Sequence, residues 1–111
     1  EMSLCEGIIQ VLGTEAKRQN FQKVKQVWLE IGALAGVEVE AMRFGFEVVC
    51  RHTLAEQAKL TIIQLPAQAW CLNCAQTVEI QQRYDACPRC GTYQLQVTQG
   101  DEMRIKELEV E

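Results

Sequence analysis

Apolar residues recur at three- and four-residue steps over residues 3–19, through Leu4, Ile8, Val11, Leu12 and Ala16. Glu6, Gln10, Lys17 and Arg18 fall largely on the other side, so the spacing predicts an amphipathic helix. Ser3 is placed as its N-cap, with Glu6 three residues on to complete a capping box. Residues 24–34 switch to alternation. Val27, Leu29 and Ile31 point one way and Trp28 and Glu30 the other, which predicts a half-buried strand. Trp28 is then either an exposed anchor or a packing partner for the cysteine segment. Gly32 and Gly36 bracket a turn. Helical spacing returns over residues 38–53 through Val39, Met42, Phe46 and Val49, with Gly45 costing that helix about 1 kcal/mol relative to alanine.

The run "KLTIIQL" predicts a second strand, ended by Pro66. "AQAWC" leads into the first cysteine pair, and "TVEIQQR" alternates like one arm of a hairpin. "TYQLQVTQG" predicts a short strand stopped by Gly100. "MRIKELEV" predicts a last strand with an irregularity between Ile105 and Leu108. The pattern gives an α/β fold: two helices packed on a three-stranded mixed sheet, with an inserted four-cysteine zinc ribbon. Residues 1–66 and 101–111 make the α/β domain, and residues 67–100 make the ribbon.

Four of the six cysteines stand as two C-x-x-C pairs, Cys71/Cys74 and Cys87/Cys90, twelve residues apart. Each pair makes a tight knuckle whose sulfurs can converge, and a hairpin brings the knuckles together into a closed tetrahedral site. Pro88 fixes one backbone angle of the second knuckle, and Gly91 eases a turn with positive φ. Zinc is the first choice. Iron is the rival, because sulfur in a tetrahedron suits both metals. A redox-active C-x-x-C fits less well, since each pair has a twin at ligand spacing. The site replaces a core that the polar ribbon cannot supply, so its role is structural, not catalytic.

Length and charge narrow the remaining choices. At 111 residues the chain suits one domain with a small appendix, and a net charge of -4 offers no bulk attraction to nucleic acid. Arg83 and Arg89 alternate with Glu79 and Asp85 and make no basic stripe, so nucleic-acid binding by the ribbon is not expected. No apolar run reaches the length of a membrane span and the start has no secretory pattern, so a cytoplasmic location is expected. Six cysteines there read as ligands or buried thiols rather than disulfides. Cys5 and Cys50 are read as buried thiols on the helices. His52 is the single histidine, and Ser3 has no evident base, so no nucleophile–base pair assembles and enzyme activity is not expected. Glu38 is placed to meet the positive end of the second helix, with Glu40 beside it.

Taken together, "EMSLCEGIIQV", "VWLEIGALAGVEVEAMRFGFEVVC" and the Cys71/Cys74/Cys87/Cys90 ribbon followed by "IKELEVE" resemble the HypA/HybF family over essentially the whole chain. The resemblance implies a nickel metallochaperone for maturation of [NiFe] hydrogenase and, in some organisms, urease. It implies structural zinc in the ribbon. It also implies transferable nickel at an N-terminus that begins Met-His-Glu, held by histidine and backbone nitrogens. The glutamate of that motif maps onto Glu1, as a partial ligand or an outer contact, and the expectation is that Met-His precedes it in the native chain. By the same resemblance Glu38 and Glu40 are possible contacts of the nickel-bearing end or of a partner. The implied partners are a HypB-type GTPase and the hydrogenase large-subunit precursor. Exchange of elements between copies is left open. The competing reading is a zinc-ribbon adaptor that binds protein or nucleic acid without a transferable metal.

Overall fold

A computed structural model of the chain describes residues 2–111. The order is α1 (Met2–Gln19), β1 (Val24–Gly32), α2 (Val39–Val49), β2 (Lys59–Leu65), β3 (Ala67–Cys71), β4 (Gln76–Ile80), β5 (Leu95–Gln99) and β6 (Met103–Val110). The strands form two three-stranded sheets, ordered β2-β1-β6 and β4-β3-β5. The first is mixed. Lys23 and Glu111, flanking β1 and β6, exchange both backbone bonds at 3.2 and 2.8 Å, the signature of antiparallel neighbours. β2 is reached from β1 through α2, the crossover that parallel neighbours need.

By compactness the chain divides into two units. Among the described residues the helical unit holds residues 2–29, 37–62 and 105–111, and the cysteine unit holds 30–36 and 63–104. In the helical unit α1 buries Cys5, Ile8 and Leu12, while Leu4 and Val11 are exposed. The buried stripe is therefore turned by about one residue from the one the hydrophobic spacing predicts, because Cys5 packs inward as a small hydrophobe. Ser3 lies inside the helix rather than at its cap. β1 supplies Val24, Val27 and Leu29 to the same core, α2 supplies Met42 and Phe46, and Trp28 is half-buried.

α2 begins at an N-cap, Glu38, whose carboxylate accepts from the backbone N–H groups of Glu40 (3.2 Å) and Ala41 (2.7 Å). These are orphan donors that a helix start must satisfy. The helix stops at Val49, four residues before the predicted end. Thr53 Oγ1 donates to the Cys50 carbonyl at 2.6 Å, and His52 takes φ +62, a turn conformation that ends the helical run. Gly45 has a use that its helix propensity hides. A Cβ there would stand 3.1 Å from both Cys5 Sγ and Met2 Sδ, so the missing side chain lets α1 lie close against α2.

In the cysteine unit β3 is the central strand, antiparallel to β4 with Ala67 opposite Ile80 and Cys71 opposite Gln76. It is also antiparallel to β5, with Ala69 opposite Val97 and Cys71 opposite Leu95, and a register shift at Gln68/Ala69. Its segment "AQAWC" alternates, but through alanines too small to signal a strand. Ala67, Ala69 and Cys71 form one buried face, joined by Leu34, Val78, Ile80 and Cys87. Two glycines close this unit. Gly32 carries no side chain where one would collide with the Gly100 carbonyl, and a Cβ on Gly100 would meet Ala67. Leu34 N–H then donates to Gly100 O at 2.8 Å.

Candidate metal centre

Both knuckles are built on the same local plan. Cys71 ends β3 and Cys74 follows a tight turn. The Cys74 N–H points at Cys71 Sγ (3.4 Å), and Ala75 N–H donates to Cys71 O (2.8 Å). In the second knuckle Arg89 N–H points at Cys87 Sγ (3.4 Å), and Gly91 N–H donates to Cys87 O (2.9 Å). The residue after each second cysteine is left-handed, Ala75 at φ +53 and Gly91 at φ +75. Glycine fits that conformation freely, whereas Ala75 adopts it at a cost of about 1 kcal/mol.

The four sulfurs converge. Their Sγ atoms all lie within 4.8 Å of one another, with Cys71–Cys90 at 3.7 Å and Cys74–Cys87 at 4.0 Å. Ligands about 2.3 Å from a tetrahedral zinc stand about 3.8 Å apart. The donor set therefore fits a zinc ion, with all four positions taken by protein. Cys71 and Cys87 are buried and Cys74 and Cys90 half-buried. An ion held by all four would have no open position for water or substrate.

The electrostatics show why a cation belongs there. Cys90 falls to about 5, first through the hydroxyl and then the N–H of Thr92, and its sulfur lies 3.1 Å from Thr92 Oγ1. Cys71 is also lowered, first by the Cys74 N–H. Cys74 is pushed the other way, to about 12, first by its bond to Cys90. Four thiols this close cannot all ionise unaided, because each thiolate opposes the next. A divalent ion removes the conflict by taking all four as thiolates. Thr92 is the contact that sequence spacing missed; its one signal was a hydroxyl two residues beyond the last cysteine.

The other reactive residues do not join this centre. Cys5 is buried, its Sγ 3.6 Å from Met42 O and 3.8 Å from Met42 Sδ. Cys50 is buried, and burial first, then Cys5, pushes its thiol up to about 12. His52 is exposed on the turn beyond it, its N–H donating to Glu56 at 3.0 Å, so Cys50 and His52 face different surroundings. Glu38 serves as the α2 cap, and Glu40 is exposed in the first turn. Glu1 lies outside the described residues. Glu30, read as facing out of β1, is only 8% exposed, because Arg104 Nε pairs with its carboxylate at 2.6 Å. No described helix is long and apolar enough to cross a membrane.

Comparison with known proteins extends these observations. A family model described as "Hydrogenase/urease nickel incorporation, metallochaperone, hypA" matches residues 1–110. The chain is 64% identical over 111 residues to the hydrogenase maturation factor HypA of Azotobacter chroococcum mcd 1, covering 100% of this chain and 98% of that one. It is 62% identical, with the same coverage, to the HypA of Alkalilimnicola ehrlichii. The solution structure of the nickel metallochaperone HypA from Helicobacter pylori matches with a TM-score of 0.73 at 25% identity, over 99% of this chain and 96% of that one.

Proposed function

This chain belongs to the HypA family of hydrogenase and urease nickel-incorporation metallochaperones, and from that premise we propose that it takes up nickel at its N-terminal end and passes it to a hydrogenase precursor. The family match over residues 1–110, joined to a four-cysteine cage in the cysteine unit, carries the reading. A cage with every position filled by sulfur holds an ion without exchanging it. A carrier must release its cargo, so the transferable ion belongs elsewhere. The end bearing Glu1 is where the family motif puts it, with Glu1 as a partial ligand or an outer contact.

In this reading zinc holds residues 67–100 together as a ribbon, and the α/β part carries nickel. The chain works in the cytoplasm and transfers an ion through protein contacts rather than catalysing a reaction. A HypB-type GTPase and the hydrogenase large-subunit precursor are its partners. Glu40, exposed beside the Glu38 cap, is the better placed of the two carboxylates to meet the nickel end or a partner, since two N–H groups already engage Glu38. The groove of about 580 Å³ beside α2 mixes Arg43 and Arg51 with Glu47 and Glu56.

Nickel titration of the native-length, zinc-loaded protein tests the reading. One nickel per chain beyond the zinc is expected, weakened by Glu1→Gln and lost when the histidine that the family motif puts before Glu1 is replaced. Binding of the nickel-loaded protein to a hydrogenase large-subunit precursor should accompany it. If no second metal binds, the chain is a ribbon adaptor and the nickel reading fails.

A further inference from the structure

Sulfur gathers in a second place, away from the ribbon ligands. α1 carries Met2 and Cys5 three residues apart, and α2 carries Met42 and Gly45 at the same spacing, so each pair shares one helix face. Cys5 and Met42 are fully buried, their sulfurs 3.8 Å apart. Met2 is 43% exposed. Cys5 Sγ and Met2 Sδ flank the point where a side chain at position 45 would begin, each 3.1 Å from it. At Gly45 a thiol and a thioether thus close on the same bare stretch of α2, and the thiol also meets the second thioether.

We infer that Met2, Cys5 and Met42 form a site for a soft monovalent cation, Cu(I). The donors are one thiolate and two thioethers, the ligand class that selects Cu(I). Their number is too small, and their character too soft, for the closed four-ligand field of structural zinc or the nitrogen and oxygen field of Ni(II). The spacing agrees as well. The 3.8 Å between Cys5 and Met42 falls between the 3.7 and 4.0 Å of the paired sulfurs in the ribbon cage. Cys5 holds its thiol against the Met42 carbonyl at 3.6 Å. On binding, a Cu–S bond replaces the S–H bond and the proton leaves to solvent, with no electron transferred. Met2 supplies the route in. It is the exposed member, and a methionine side chain is flexible enough to swing onto an ion already held by the buried pair. Occupancy would tie the first turn of α1 to α2. The inference stands apart from the nickel reading, because it uses only described sulfur atoms.

The test is an anaerobic Cu(I) titration of the full, zinc-loaded chain against a chromophoric Cu(I) chelator, with zinc release followed in the same cuvette. One Cu(I) per chain is expected with zinc retained, and X-ray absorption should show a shell of sulfur alone. Losing a ligand should weaken binding by at least the roughly 10- to 100-fold that loss of an outer partner costs. Cys5→Ser and Met2→Leu should both show that loss. Met2→Leu keeps the volume at an exposed position, so its fold and zinc content stay intact and its result reads the site alone. Copper uptake matched by zinc release would overturn the inference, by assigning the binding to the ribbon thiols. So would an affinity unchanged in Cys5→Ser or Met2→Leu, or failure to retain Cu(I) against the chelator. Nickel stoichiometry plays no part in any of these outcomes.

Discussion

Leu12, Leu29, Met42 and Phe46 fill the helical unit, whereas the cysteine unit buries Ala67, Ala69, Cys71 and Cys87 beside Ile31, Leu34, Val78 and Ile80. Burying a large aliphatic side chain contributes about 1.5–3 kcal/mol, and alanine far less. The first set can hold its elements by packing. The second set has less to pack with, and it places four sulfurs where a bound metal would supply the missing free energy. One chain thus uses two different sources of order, and they should respond to different perturbations.

Metal removal should separate them most sharply. Structural zinc contributes roughly 10–16 kcal/mol in small four-ligand sites, so chelation or Cys87→Ser should unfold the cysteine unit. NMR should then show lost dispersion for residues 63–104 while the helical signals persist. Loss of both sets together would mean that the helical unit does not stand on its own packing. The reverse probe is Leu29→Ala, expected to cost about 2–5 kcal/mol by leaving a cavity. Urea unfolding should register that loss at unchanged zinc affinity, and a matching fall in zinc affinity would break the distinction.

The cysteine unit also holds an ion pair, the nearly buried Glu30 with Arg104. Arg104→Ala should cost about 1–3 kcal/mol, because it leaves the Glu30 carboxylate nearly buried without its partner. The figure is kept below that of a deeply buried pair because the Arg104 side chain is 68% exposed. Adding Glu30→Gln should recover part of the loss in a double-mutant cycle.

Alkaline pH probes the helical unit instead. The Cys50 thiol rises from 9.0 to about 12 in the fold, chiefly through burial. The folded form then keeps a proton that the unfolded chain has released, so stability is full below pH 9 and falls as pH climbs towards 12. Cys50→Ala should flatten that part of a denaturation-versus-pH curve. An unchanged slope would show that Cys50 is not its source. The smallest effect should come from Ala75→Gly. Relief of the left-handed conformation should stabilise the zinc-loaded protein by up to about 1 kcal/mol, read as a higher denaturant midpoint.

The same contrast explains what could be read without coordinates. Helices and long strands announce themselves through large apolar residues at fixed periods, so α1, α2, β1, β2 and β6 were legible. The paired cysteines were legible because ligand spacing is a local property. β3 was not, since Ala67 and Ala69 are too small to mark a buried face. The Glu30–Arg104 pair joins residues far apart in sequence, and nothing local foretells it. Gly45 read as a local weakness because its reason, the sulfurs of α1, lies on another helix. Glu1 gained meaning from family resemblance, where a lone acidic residue says nothing by itself.

The crossing of Gly32 and Gly100 bears on the order in which the chain acquires its shape. Backbone meets backbone there, so the contact has almost no side-chain attraction to draw the two segments together from a distance. It must also close a long loop, and the entropy lost in doing so grows with the number of free residues between the ends. The cysteine knuckles lie inside that loop and join over a much shorter span. A metal bound across them shortens the effective loop before Gly100 has to find Gly32. An ion held in the ribbon would thus also ease the last strand's return to its place.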